Sequence, residues 1–333
     1  MRRVVGLVVT GLGAFLVAFA LLLRFWVPGY VLTFPLNEYS VTTMTGSNIT
    51  YFSSSTLKEY TGVKATATKT IEGDVGSGSQ SVAVWGSFTA LEDTTNHVAI
   101  QYASQRSAFN RRSGELVNCC AAAIGSNTRV HQSGQGFRWP FGTQHRTYQV
   151  FDVTLLRPVP VQYEGTATID GMTVDKFVEH VVNLRFGQQT LPGPLVGLKE
   201  QATVTLPEFL TATNTYWVDP LTGTPVDETQ NQTVALEGSG GASKLVLLAG
   251  QLTQTPASVR AAVASAGQSH KKIKWIDDTG PLIGLLAGIV ALAGGIALVW
   301  RAEEPWVPAY DDDEVADYVD LSGRVTPARA GLW

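Results

Sequence analysis

Hydrophobic residues along this chain gather at its two ends. From Val4 to Leu23 run 20 consecutive uncharged residues, VVGLVVTGLGAFLVAFALLL, and from Leu282 to Trp300 run 19 more, LIGLLAGIVALAGGIALVW. At about 1.5 Å per residue each spans roughly 28–30 Å as a helix, the thickness of one bilayer core. Both runs are apolar on every side and flanked by interfacial Trp or Arg, whereas a soluble core helix keeps a polar stripe. They predict transmembrane helices over 4–24 and 281–300. The first also carries the marks of a signal peptide, with Arg2 and Arg3 ahead of it and a small-residue site at Ala18-Phe19-Ala20. A cut there would fall inside the apolar run, before Leu21, Leu22 and Leu23, which favours an uncleaved anchor.

Between the ends the period changes to two. Val63 to Ile71 alternates small apolar with polar residues, and Val82 to Leu91 and Val98 to Gln105 continue as extended runs. The strongest hairpin is VQYEGTATIDGMTVDKF, Val161 to Phe177, because Asp170-Gly171 suits the positive φ angles of a type I′ turn. Phe177 to Phe186, with Val178, Val182, Leu184 and Phe186, reads as more strand. Phe109 to Val117 and Trp217 to Val226 share an aromatic strand end, a polar Gly turn and a returning apolar strand, which common turn chemistry explains better than a duplication. Thr255-Pro256 looks like an N-cap followed by proline at the first helical position. The segment 255–278 is therefore a juxtamembrane helix, with a break at Asp278-Thr279-Gly280-Pro281 before the second membrane helix. The expected fold is mainly β: one large antiparallel extracytoplasmic domain over 25–254, anchored by a transmembrane helix at each end.

Charge sharpens the topology. The chain of 333 residues has 24 basic and 28 acidic side chains. They divide as +3 over residues 1–24, −2 over 25–300 and −5 over 301–333. Arg2 and Arg3 place residues 1–3 in the cytoplasm by the positive-inside rule. Lys271, Lys272 and Lys274 argue the other way, but they stand back from the second helix, and long segments translocate with little regard to charge. Both termini are then cytoplasmic, and the tail 301–333, with Asp311, Asp312, Asp313 and Glu314, hangs free of an anionic leaflet. The balance carries no basic excess for nucleic acid, and two cysteines exclude a disulfide scaffold.

Candidate chemistry is sparse. No GxSxG, P-loop, HExxH or CxxC pattern occurs, and His97, His131, His145, His180 and His270 are scattered, so no catalytic, cofactor or metal site is expected. Cys119 and Cys120 are adjacent. Their spacing favours two small buried side chains at a strand end, with a redox-active vicinal disulfide or an intermolecular link as the sharper alternative. Gly284, Gly288, Ala291 and Gly295 form a small-residue stripe on the second membrane helix, and Gly6, Thr10, Gly13 and Val17 form one on the first. These faces should meet, within the chain or in a homo-oligomer. Leu191-Pro192-Gly193-Pro194-Leu195-Val196-Gly197-Leu198 is an apolar loop that covers a core edge, or contacts a ligand or the membrane.

The run GFRWPFGTQHRTYQVFD from Gly136 to Asp152, then YEGTATIDG from Tyr163 to Gly171, the turn DPLTG from Asp219 to Gly223 and the two-helix frame resemble the actinobacterial PorA-like membrane protein family. The resemblance covers nearly the whole chain except the acidic tail. It implies an envelope protein and transfers no catalytic residue. The leading expectation is a two-pass plasma-membrane protein whose β domain binds or chaperones a hydrophobic, lipid-like envelope component. Membrane lipids are its expected partners. A structural or sensory scaffold for another envelope protein is the alternative, and an oligomeric pore is the third.

Overall fold

The computed structural model describes residues 2–26, 32–238 and 243–301, so the acidic tail with Asp311 to Glu314 lies outside the described residues. The chain divides into a helical unit from its two ends, residues 1–19 with 284–333, and a β unit over 20–283. Helix α1 spans Arg2–Phe25. Twelve strands follow: β1 Tyr39–Ser53, β2 Lys58–Gly73, β3 Val82–Asp93, β4 Val98–Asn110, β5 Leu116–Val117, β6 Ala123–Ile124, β7 Tyr148–Asp152, β8 Arg157–Ile169, β9 Met172–Pro192, β10 Thr203–Asp219, β11 Thr224–Glu237 and β12 Ser243–Gln254. Helices α2, Pro256–Lys274, and α3, Gly280–Trp300, complete the described chain.

The period-two pattern does what its chemistry demands. On β2, Val63, Ala65 and Ala67 are buried while Lys64 is exposed and Thr66 and Thr68 are half-buried. Ile169 pairs with Met172 across Asp170-Gly171, whose φ angles of 46° and 80° make the tight β8–β9 hairpin. Other turns are closed by a carboxylate or amide at the strand end. Asp93 Oδ1 accepts the Thr95 and Asn96 amides at 2.8 and 3.0 Å, and Asp152 Oδ1 accepts those of Thr154 and Leu155 at 2.7 and 2.8 Å. Asn110 and Asp219 do the same for Arg112 and Leu221. The two similar turns after Phe109 and Trp217 therefore share this Asx chemistry.

All the strands form one antiparallel sheet in the order β5-β4-β3-β2-β1-β12-β11-β10-β9-β8-β7, with β6 beside β4. Two meanders are joined where β1 meets β12, Met44 opposite Gln254. The sheet curls until its short edge strands are stitched by one residue. Gln135 bridges Glu115 ahead of β5 and Val150 on β7, its amide donating to Gln149 O at 2.7 Å and its carbonyl accepting from Phe151 N at 2.8 Å. The edge groups of β7 at Gln149 and Phe151 are thereby satisfied.

The irregular segment after Gln135 fills the interior. Phe137 joins Phe34, Trp85, Phe109, Leu116 and Phe151, and Trp139, two residues on, joins Tyr148, Val161, Phe177 and Val218. Between them Arg138 bonds Glu38 at 3.0 Å, and its guanidinium lies 5.3 Å from the Trp85 ring centroid. Phe141 stacks on Phe34 at 4.5 Å. Trp139 N donates to Gly223 O at 2.9 Å and Thr143 N to Pro220 O at 2.8 Å, tying the segment to the β10–β11 turn.

Helix α2 packs on the sheet through Val259, Ala266 and Ile273. Thr255 caps it, accepting from Ser258 N at 3.3 Å, and His270 reaches the fully buried Asp219 at 2.8 Å. The break expected at residues 278–281 is instead a π-helical turn, Trp275–Thr279, leading directly into α3. Pro281 has no N–H for the helical ladder, and the wider turn accommodates it, with Gly280 N bonding Trp275 O. Strand β9 also departs from simple alternation. Val178 is buried whereas His180 and Val182, at the same parity, are exposed, and a bulge follows at Asn183, φ 44°.

Replacing Trp139 by alanine empties the middle of a buried aromatic cluster and is expected to cost about 3–5 kcal/mol. Chemical denaturation should register that loss, while Leu156→Ala, at an exposed turn position, leaves the midpoint nearly unchanged.

Candidate functional site

In the helical unit the two small-residue stripes lie against each other within one chain. A β-carbon built on Gly13 would stand 2.6 Å from Leu292 N and 2.9 Å from Gly288 O. One on Gly288 would meet Val17 N at 2.9 Å, and one on Gly295 would meet Thr10 N at 2.6 Å. Gly6 faces Gly295 and Val299. Only glycine permits this backbone approach. Gly284 and Ala291 are half-buried. The surfaces turned away from this contact are uniformly apolar, with Val4, Leu7, Val8, Leu12, Phe15, Ile289 and Val290 exposed. Both helices have the length and composition to cross a membrane.

The apolar loop belongs to the β-unit core. Leu191 and Val196 are buried with Leu206, Leu236 and Leu245, Leu195 and Leu198 pack against that cluster, and Pro192 and Pro194 are exposed. A small void between Ile49, Leu91, Leu248 and Leu252 has about 10 Å³, space for roughly one water. A shallow open groove of about 400 Å³ runs along Arg157, Pro158, Pro160, His180 and Val182 on β8 and β9.

Titratable groups pair off locally. His145 Nε2 lies 3.1 Å from Asp175 and stacks on Tyr163 at 4.1 Å, and His180 lies 3.5 Å from Glu164. His131 lies near Asn118, and His97 sits in the β3–β4 turn with φ 56°. Among the described residues no three His, Cys, Asp or Glu side chains converge on a common point.

Glu179 on β9 is the most perturbed acid. It is 1% exposed; its Oε2 accepts from the Tyr216 hydroxyl at 3.4 Å, and its Oε1 has no partner. Burial, followed by the adjacent Asp152 carboxylate, raises its pKa to about 7, against the opposing pull of Asn214 and Tyr216. Burial, then Glu179, also pushes the Tyr216 hydroxyl well above its ordinary range. Asn214 Oδ1 is likewise buried without a donor. A proton held on Glu179 gives this cluster of acceptors the O–H it lacks.

Cys119 and Cys120 are not two buried thiols at a strand end. They form a disulfide with each other, and both are exposed. The expectation of burial fails because the short β5 ends at Val117 and the chain turns outward before β6.

One surface that the sequence analysis missed is the outer face of β1–β4. Register places Val41, Thr70, Phe88 and Ser104 side by side, with Thr43, Thr68, Ala90 and Tyr102 as the next row. Phe88 and Tyr102 stack at 5.8 Å, 50% and 61% exposed, and Tyr39 and Val41 extend the patch. The signal was parity. Phe88 lies three residues from buried Trp85, and Tyr102 seven from buried Phe109, so each aromatic points away from the core.

One curled antiparallel sheet with an apolar helix of spanning length towards each end of the chain is a β architecture compatible with a two-pass membrane protein. The chain matches the family model described as Porin PorA over residues 5–297 and belongs to that family. Comparison with the curated proteins returns no significant match.

Two outcomes follow. Gly13→Leu should weaken the helix pair by about 1–3 kcal/mol in a mixed-micelle denaturation, whereas Gly11→Leu, which meets open space, should not. The folded-state pKa of Glu179 lies above the ordinary 4.5, so the folded chain keeps a proton that the unfolded chain releases. Stability should therefore fall as pH rises from about 4.5 through about 7. Glu179→Gln supplies a permanent donor and should remove that slope, raising Tm at pH 8 by roughly 2–6 °C.

Proposed function

We propose that this chain is a two-pass envelope protein whose β unit is a scaffold that docks another envelope protein on the outer β1–β4 face. The carrying observation is the exposed Phe88–Tyr102 stack on a sheet whose Trp85, Phe109, Phe151 and Phe177 are buried in core clusters. Contiguous exposed aromatics on an otherwise Thr-rich sheet face are what a partner surface requires. Arg2 and Arg3 support cytoplasmic termini, and the Cys119–Cys120 disulfide supports an extracytoplasmic β unit, since such bonds persist in oxidising compartments.

The lipid-carrying reading finds no support in the packing, because the Leu191 to Leu198 loop is taken up by core contacts. The porin name suggests conduction, yet the small-residue faces are occupied within the chain and the remaining helix surfaces offer no polar lining.

A photo-crosslinking residue at Phe88 or Tyr102 in intact cells should give one discrete heavier adduct, while the same residue at Leu156 gives none. Identical adducts at all three positions, or none at Phe88 and Tyr102, would overturn the docking face. Steady conductance from the purified protein in planar bilayers would replace the scaffold reading by a pore, and stoichiometric lipid in an organic extract would restore the lipid reading.

A further inference from the structure

The disulfide between Cys119 and Cys120 has no role in the scaffold reading, and it is a poor structural staple. A bond between neighbours closes no loop and so removes almost no chain entropy from the unfolded state. Its surroundings suit chemistry instead. Both cysteines are exposed, and they are the chain's two cysteines. Cys120 and the following Ala121 both sit in the left-handed region, at φ 61° and 58°, where residues with a β-carbon are strained. Arg106 Nε donates to the Cys120 carbonyl at 3.2 Å, which brings a guanidinium to the turn. A cation there stabilises a departing thiolate and so favours attack on the disulfide.

The turn is also bounded. On one side Asn118 exchanges two hydrogen bonds with the Gln132 backbone, at 2.7 and 2.8 Å, and the fully buried Gln132 side chain bonds Ser107 and, at 3.1 Å, the Arg106 carbonyl. On the other, Ala123 and Ile124 pair with Arg106 and Gln105 on β4. Arg106 is held besides by Asp74 at 2.6 Å and Ser77 at 3.0 Å. Between these clamps only residues 119–122 are free to change, and their internal tie is the Ala122 N to Cys119 O bond of 3.0 Å.

We propose that the Cys119–Cys120 turn is a reversible thiol–disulfide exchange site that accepts two electrons from a dithiol reductant and changes conformation between its two clamps. One thiolate of the reductant attacks a sulfur of the pair. The S–S bond breaks, the second cysteine leaves as a thiolate and takes up a proton, and a mixed disulfide forms. The second thiolate of the reductant attacks that mixed disulfide, releasing the first cysteine, which is protonated in turn, and the reductant departs as its own disulfide. Freed from the ring, Cys120 and Ala121 leave the left-handed region, and the Cys120 carbonyl withdraws from Arg106.

The full chain, kept folded in detergent, tests this directly. N-ethylmaleimide should add nothing before treatment and two groups per chain after dithiothreitol, by mass spectrometry. Phenylarsine oxide, which bridges two neighbouring thiols, should bind one equivalent after reduction and none before. Amide exchange across residues 119–122 should quicken roughly tenfold on reduction, with the rest of the sheet unchanged. A Cys119→Ser/Cys120→Ser variant should show the fast exchange without any reductant. Two maleimide groups before reduction, a covalent dimer on a non-reducing gel, or a disulfide that yields only on denaturation would overturn the exchange site. Exchange in the turn that ignores both reduction and the double substitution would overturn the conformational change.

Discussion

A sheet that curls this far must fill its concave face, and the segment from Gln135 to Thr143 is how this chain does so. Gln135 ties the two edges, Phe137 and Trp139 complete separate aromatic clusters, and Arg138 is carried between them by Glu38 and the Trp85 ring. The half-buried guanidinium is tolerable because an opposite charge and a π face replace part of its hydration. The strands on either side meet this plug with large side chains, Trp85, Phe109 and Phe151 around Phe137 and Tyr148 and Phe177 around Trp139.

Local signals were legible in the sequence, and long-range ones were not. The membrane helices, the Asp170-Gly171 hairpin, the Thr255 cap and the alternation on β2 rest on interactions within a few residues, and those can be read from spacing. The pairing of β1 with β12 joins Met44 to Gln254, and no local pattern announces it. The plug has no period at all: GFRWPFGT resembled a family before it resembled an element, and its role as a core segment needs the sheet around it. Val182 shows the limit at the scale of one residue: it reads as strand beside Val178, yet it is 81% exposed where Val178 is buried, a difference that alternation alone does not announce. The candidate site was less legible still, since nothing local singles out Phe88 and Tyr102, and only the strand register brings them together.

Buried acids mark where this fold tolerates cost. Asp93, Asp219 and Asp175 are each essentially inaccessible, and the first two are satisfied by the turns they close. For Asp93, burial works to raise the pKa, but hydrogen bonds from Asn96, Tyr51 and Thr95 prevail and hold it low. Glu179 faces the opposite balance, because its neighbours are chiefly acceptors and a second carboxylate. Two carboxylates in similarly dry positions are thus shifted in opposite directions, and the number of donors aimed at each decides which.

The two-unit division has a mechanical corollary for a scaffold. The helical unit is held by backbone-close packing at Gly6, Gly13, Gly288 and Gly295, which ties the chain's two ends to each other inside one molecule. The β unit is likewise closed upon itself, with its first and last strands paired and its edges stitched at Gln135. The sheet keeps open stretches all the same, since β4 is paired beyond β3 only within residues 105–109 and β8 beyond β9 only at residues 157–161. Phe88 lies on β3 between two paired neighbours, whereas Tyr102 lies on the stretch of β4 paired only with β3. In the docking proposed above, aromatic fit at Phe88 and Tyr102 would therefore act beside an edge whose backbone groups are free to pair.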